Sequence, residues 1–146
     1  MRYTHRIGFL IDTTLWERMD GTCRRLHASK AHFLRCCLMP TSVDEISDAD
    51  VFGTERRVPH TDGPALNSRA RRQMMLTLDD DAYELAWRMA DRLGISLMQL
   101  LRTRIDGLLD ELERRPTATL PNETTLVARG RTLLDTIRAN RRDMHT

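Results

Sequence analysis

The pattern of hydrophobic and polar positions occurs twice in this chain, in two segments that are 67 positions apart. When the chain is aligned with itself at that offset, residues 7–38 fall on residues 74–105 without a gap. Few of the matched residues are identical, but the apolar positions keep their places, and Asp12 meets Asp79. A repeat of this length predicts one supersecondary unit that is used twice.

Each copy begins with the alternation of a β-strand and continues with a helical period. Alternate residues are apolar in 5–11 and in 72–78, so one side of each predicted strand is apolar. Asp12-Thr13-Thr14 and Asp79-Asp80-Asp81 follow, and their side-chain oxygens suit the start of a helix. The apolar spacing then changes to the helical period. The predicted helical stripes are Leu15, Met19, Cys23 and Leu26 in the first copy, and Ala82, Ala86, Ala90 and Leu93 in the second.

A second helix is predicted in each copy, with Ser29 and Ser96 as the N-cap residues. Gly94 suits a left-handed cap at the end of the preceding helix, whereas the first copy has the less favourable His27 there. Met39-Pro40 is expected to end the second helix of the first copy. The apolar positions of these helices are Phe33, Leu34 and Cys37, and Leu100, Leu101 and Ile105.

A single strand-helix-helix unit cannot bury its own strand, because the strand's backbone groups and one apolar face stay uncovered. Two copies solve the problem by pairing their strands. We therefore predict an antiparallel ribbon of residues 6–11 and 73–78 over four helices.

This arrangement resembles the ribbon-helix-helix (Arc/MetJ-type) family of DNA-binding proteins. The resemblance covers roughly half of the chain, as two blocks of about 33 residues. A tandem copy in one polypeptide is similar to the accessory DNA-binding proteins of conjugative plasmid transfer. The resemblance implies a mainly α-helical, single-chain pseudo-dimer with one two-stranded ribbon.

The resemblance also implies two DNA-contacting surfaces. The outward side of the ribbon would lie in the major groove and read bases, and the start of each second helix would hold a phosphate. The base-facing positions are Arg6, Gly8, Leu10, Gln73, Met75 and Thr77. The phosphate positions are Ser29, Lys30, Ser96 and Leu97, and the basic arm Arg69, Arg71 and Arg72 adds to them unless it is only a solvated charge run.

The ribbon differs from the family pattern, which usually places polar or charged side chains towards the groove. Arg6 suits guanine and Gln73 suits adenine, while Leu10, Met75 and the Thr77 methyl group suit thymine methyl groups. An apolar ribbon face is also compatible with binding another protein. We favour DNA, on the analogy of fold.

Charge is unevenly distributed, although the 146 residues carry a net charge of only +2. Residues 1–39 hold seven basic and three acidic side chains, whereas residues 40–68 hold two and six. Residues 69–122 are balanced, and residues 123–146 hold five and three. A polyanion is therefore expected to meet the first repeat, the basic arm and the C-terminus rather than the connector.

Four segments are predicted: a first unit (1–39), a connector (40–72), a second unit with an extended last helix (73–115) and a C-terminal helical extension (116–146). The connector is expected to run over the surface with one short helical turn near residues 43–46. In the extension, one side of the predicted helix is apolar. It would either pack on the core or bind a protein partner through residues 117–146. The apolar side consists of Leu126, Val127, Leu133, Leu134 and Ile137.

The spacing of Cys23, His27, His32 and Cys36 is compatible with a zinc site, because both Cys–His pairs have helical i,i+4 spacing. Cys23 falls on a core stripe, and the second copy has no ligand at any of the four positions, so we predict no metal and no cofactor. No residues resemble a nucleophile, a base and an orienting group, and we predict a protein that is not an enzyme.

No secretory signal or membrane-spanning stretch is evident, and three cysteines do not make a disulfide framework. We expect a cytoplasmic protein of bacterial or mobile-element origin. The predicted function is binding of double-stranded DNA by a folded monomer that can pair on adjacent sites, as a transcriptional repressor or a plasmid DNA-processing factor. The alternative is a protein-interaction module, an antitoxin or inhibitor with reduced DNA reading.

Overall fold

A computed structural model describes residues 4–48 and 71–144, and this part of the chain contains two strands and five α-helices. The elements are β1 (His5–Asp12), α1 (Thr13–Leu26), α2 (Lys30–Cys37), β2 (Arg71–Leu78), α3 (Asp80–Leu93), α4 (Leu97–Arg114) and α5 (Glu123–Met144). A 3₁₀ turn at Val43–Glu45 matches the short helical turn that the sequence predicts. Most of the predicted connector and Arg69 of the predicted basic arm lie outside the described residues.

The two strands pair with each other in an antiparallel sheet, as predicted. Gly8 lies opposite Met75 near the middle of the ribbon, and these two residues are 67 positions apart. The inner face of the ribbon covers the helices, because alternate side chains of each strand point towards them. The buried side chains of that face are Ile7, Phe9, Ile11, Leu76 and Leu78.

Several helix ends match between the two copies of the repeat. The Ser29 hydroxyl accepts a hydrogen bond from the His32 N–H at 3.0 Å, and Ser96 and Asp79 cap their helices in the same way. Asp12 departs from the prediction, since its side chain accepts no capping bond from α1. His27 (φ 54°) and Gly94 (φ 67°) both adopt the left-handed conformation that the sequence predicts at the ends of α1 and α3.

The predicted buried face of α3 is partly wrong. Leu93 is 60% exposed, whereas Leu85 and Met89 are almost completely buried. Because α5 packs on α3, the side of α3 that carries Leu85 and Met89 also belongs to the core. A Cβ atom at Gly130 of α5 would lie 3.3 Å from Leu85 Cδ1, so the two helices approach closely at this glycine.

The C-terminal extension therefore packs on the core. The buried apolar residues of α5 are Leu126, Leu133, Leu134 and Ile137. Arg131 and Arg138 lie 3.6 and 3.5 Å from Asp81 and Glu84 of α3, and these pairs align the helices at their exposed edge. The predicted apolar side of α5 is thus occupied within the chain, apart from Val127, which is 37% exposed.

α1 is covered differently from α3. α2 ends after eight residues, before the buried Met39 and Pro40, whereas α4 continues for 18 residues and lies against α1. Arg18 of α1 forms ion pairs of 2.9–3.0 Å with three carboxylates of α4. Those partners are Asp106, Asp110 and Glu113.

The positions that are equivalent in the repeat explain this difference in covering. Arg18 and Thr22 of α1 correspond to Leu85 and Met89 of α3. Arg18 pairs with the acidic side of α4, and Leu85 lies close to Gly130 of α5. Each helix therefore carries the residues that match the element lying over it.

The beginning of the predicted surface connector is packed rather than exposed. Ile46 is 5% exposed, and the Arg104 guanidinium donates to the Cys37 and Met39 carbonyls at 2.9 and 3.1 Å. Arg88, itself 5% exposed, pairs with Glu84 at 2.8 Å and donates to the Ser47 carbonyl at 2.9 Å. The buried Arg88 and the half-buried Arg104 thus hold residues 37–47, because guanidinium groups removed from water need acceptors.

Substituting His27 by glycine is expected to raise the free energy of unfolding by about 0.5–1 kcal/mol, because a left-handed residue with a Cβ atom is strained. Chemical denaturation monitored by circular dichroism measures this change. The matched control is Gly94→Ala at the equivalent position, which should lower stability. Equal or lower stability of His27→Gly would contradict the argument.

Substituting Leu134 by alanine should lower the free energy of unfolding by about 2–5 kcal/mol, because the side chain is fully buried between α5 and the core. The exposed Val127 on the same helix provides the control, since Val127→Ala should cost less than about 1 kcal/mol. Similar small losses for both variants would mean that α5 does not pack as described.

Candidate nucleic-acid interface

The outer face of the ribbon brings together all six residues that the sequence assigns to base contacts. Strand alternation and the observed register place them on one side, opposite the buried face. Arg6, Gly8 and Gln73 are exposed, Leu10 is 38% exposed and Met75 is 56% exposed. This face is accessible to a large partner.

Thr77 is the least accessible of the six, and the sequence did not predict its partner. Arg35 of α2 donates to the Thr77 hydroxyl at 2.9 Å and to the Thr77 carbonyl at 3.0 Å. This pair holds one edge of the ribbon against α2. The repeat does place an arginine at this position in both copies, since Leu34-Arg35 aligns with Leu101-Arg102, but it does not indicate the partner of Arg35.

The centre of the outer face is apolar. A Cβ atom at Gly8 would lie 3.8 Å from the Met75 Cε atom, so the methionine side chain passes beside the glycine. Because Gly8 has no side chain, a partner can approach the backbone closely at this point.

At each end of the ribbon, one strand residue contacts an aromatic ring of a helix. The Arg72 guanidinium of β2 lies 3.9 Å from the centre of the Trp16 ring of α1. The His5 ring of β1 stacks on Tyr83 of α3, with 4.0 Å between centroids and 4° between planes. These are equivalent positions in the repeat, since His5 corresponds to Arg72 and Trp16 to Tyr83.

The flank beside Trp16 is basic. Lys30 Nζ lies 4.9 Å from the Trp16 centroid and 2.6 Å from Asp20 Oδ1, and Arg24 Nε is 3.1 Å from Asp20 Oδ2. The hydrogen bond from Lys30 holds the pKa of Asp20 below its ordinary value. Three cations, Lys30, Arg24 and Arg72, thus lie around the Asp20 carboxylate. Ser29 is exposed next to Lys30.

The flank beside Tyr83 is acidic and aromatic. His5 Nε2 lies 2.7 Å from Asp80 Oδ1, and this hydrogen bond lowers the pKa of Asp80, whose side chain is 86% exposed. The Trp87 ring meets Tyr83 edge-on at 6.2 Å. Asp91 and Leu97 stand where the other flank has Arg24 and Lys30.

The predicted phosphate positions of the second copy are less accessible than those of the first. Ser96 is 5% exposed and Leu97 is 7% exposed, because Leu97 joins the hydrophobic core. Their side chains are not available to a phosphate. In the basic arm, Arg71 lies opposite Asp12 at the end of the ribbon, and Arg72 is exposed beside Trp16.

The four residues with zinc-compatible spacing do not come together as ligands of one metal ion. Cys23 is buried in the core, while His27 is exposed at the end of α1. His32 Nε2 lies 2.7 Å from the Pro121 carbonyl, and burial raises the pKa of the Cys36 thiol to about 11. Among the described residues, no three His, Cys, Asp or Glu side chains are grouped as a metal ion requires.

No family model, curated protein or solved structure matches the chain. None of the helices within residues 4–48 and 71–144 has the length and hydropathy needed to cross a membrane.

The charge pairing beside Trp16 predicts a pH effect. Because folding lowers the pKa of Asp20, the pair stabilises the protein above the unfolded pKa of about 4, and the stabilisation is lost as the pH falls through the lower folded value. In Lys30→Met, the Asp20 pKa should rise towards 4, as measured by carboxyl NMR titration. Arg24→Met is the control and should raise it less, since the Lys30 hydrogen bond is the largest cause. An unshifted Asp20 in the parent protein would refute the pairing.

Proposed function

We propose that this protein binds double-stranded DNA without catalysing a reaction, by inserting its two-stranded ribbon into the major groove. The observation that carries the proposal is the exposed outer face of the ribbon, whose inner face is buried on helices. A two-stranded ribbon fits the width of the major groove. Helices beneath it would keep the ribbon rigid while it contacts base edges.

The proposal includes a single-chain pseudo-dimer of two ribbon-helix-helix units. Several features at positions 67 residues apart support it: the central Gly8–Met75 pair, the two left-handed helix ends, the serine caps and the two ring contacts. In such a pseudo-dimer each strand would pair with the strand of the other unit. The ring contacts would then fix each strand to the opposite unit's first helix.

The chemistry of the outer face supports contacts to bases. Arg6 and Gln73 are exposed, and their side chains can form paired hydrogen bonds with guanine and adenine. Leu10 and Met75 provide apolar surface for thymine methyl groups. The exposed glycine between them would let the backbone approach the groove floor.

Phosphate contacts would come from the basic flank. Lys30, Arg24 and Arg72 lie beside the same end of the ribbon, next to the exposed Ser29 at the start of α2. Cations around the groove contribute affinity that does not depend on sequence and that falls with salt. The biological role would be transcriptional repression or DNA processing on a plasmid or mobile element, in the cytoplasm.

A second candidate is a protein-interaction module such as an antitoxin or an inhibitor. The observation that favours it is the apolar centre of the outer face, where Met75 is 56% exposed beside Gly8. Large exposed apolar side chains are more common at interfaces than elsewhere on a surface.

Fluorescence anisotropy distinguishes these candidates, with labelled duplexes from around the protein's own gene and random duplexes at several salt concentrations. DNA binding predicts tighter binding to the cognate region and affinity that falls steeply as salt rises. The double variant Arg6→Ala/Gln73→Ala should lose on the order of tenfold or more in specific affinity, because each bidentate contact contributes about 1–3 kcal/mol.

The control is Arg115→Ala, which removes an exposed arginine just beyond the end of α4. It should leave specific affinity nearly unchanged. Unchanged affinity in the double variant would refute base reading by the ribbon. Weak and equal binding of all duplexes by the parent protein would favour the protein-interaction module.

A further inference from the structure

We infer that the DNA target of this protein is not a palindrome: one end of the ribbon reads a G·C pair and the other end reads an A·T pair. This inference rests on the proposed DNA binding and adds the class of sequence recognised. A dimer of identical chains would present the same residues at both ends of its ribbon. In this chain, all three repeat-related pairs on the outer face differ in chemistry. They are Arg6 and Gln73, Gly8 and Met75, and Leu10 and Thr77.

The register decides which residues act together. Arg6 lies opposite Thr77 at one end, and Gln73 lies opposite Leu10 at the other. An arginine side chain matches the two acceptors on guanine. Thr77 is the least accessible residue of the face, and its hydroxyl is held by Arg35, so Arg6 decides the preference at this end. The first end therefore favours G·C.

The other end combines two preferences for the same base pair. A glutamine side chain matches the donor and acceptor of adenine, and a leucine side chain packs on the methyl group of thymine. Leu10 is four positions after Arg6 along β1, which corresponds to about 13 Å in a strand. The two ends therefore meet different base pairs.

The flanks would fix the orientation of the protein on such a site. The basic flank of Arg72, Lys30 and Arg24 lies beside the Gln73 end, because Arg72 precedes Gln73 in β2. At the Arg6 end, the exposed Asp80 stands beside His5. Phosphate contacts should thus be stronger on the A·T side, since a carboxylate repels the DNA backbone.

Selection of bound duplexes from a random library by the full chain tests the inference. The enriched sequence should differ from its own reverse complement, with a G·C pair on one side and an A·T pair on the other. In Arg6→Ala, discrimination should fall on the order of tenfold at the G·C position alone. In Gln73→Ala, the loss should occur at the A·T position alone.

A symmetrised variant gives a sharper test. Arg6→Gln places glutamine at both repeat-related positions, and its enriched sequence should carry A·T pairs at both ends. Arg6 is exposed on the outer face, so this variant should keep the parent's circular dichroism and unfolding midpoint. Arg115→Ala is the control and should select the same sequence as the parent.

The outcomes separate the inference from the proposed function. A palindromic sequence selected by the parent protein would overturn the asymmetric target while leaving DNA binding intact. Identical losses at both positions in Arg6→Ala would overturn it as well. Failure to bind any duplex at low salt would overturn both the proposed function and the inference.

Discussion

The pairing of β1 with β2 is the constraint on which the rest of the structure depends. A lone strand would leave backbone N–H and C=O groups without partners, and each of these strands finds its only described partner in the other. The pairing brings residues that are 67 positions apart into one ribbon and closes one side of the core. The helices have a common surface to pack on because this ribbon exists.

The two copies of the sequence repeat differ in packing, because different elements cover α1 and α3. Pro40 follows shortly after the short α2, so α2 does not cover α3 in the way that the longer α4 covers α1. α5 covers α3, and Leu85 and Met89 become core residues there. The longer α4 covers α1 instead, through the ion pairs of Arg18. The early end of α2 thus accounts for much of the difference between the packing of α1 and that of α3.

The strand pairing and most helix caps could be predicted from the sequence, whereas the packing of the helices against one another could not. The strand pairing, the serine caps and the left-handed His27 follow from alternation and capping chemistry. The exposed Leu93, the buried Ile46 and the burial of Ser96 and Leu97 depend on which element lies over them. At the candidate site, alternation placed all six outer-face residues correctly on one side, but the Arg35–Thr77 bond required the fold. The difference between the two flanks also depends on the contacts of His5 with Tyr83 and of Arg72 with Trp16, which the sequence does not predict.

Because both strands belong to one polypeptide, assembly of the ribbon is a unimolecular event. A ribbon made by two separate chains dissociates on dilution, whereas this one persists at any concentration at which the chain is folded. A few copies per cell would therefore hold a complete ribbon. A substitution at Arg6 also changes one end only, so each end of the face can diversify under selection without altering the other.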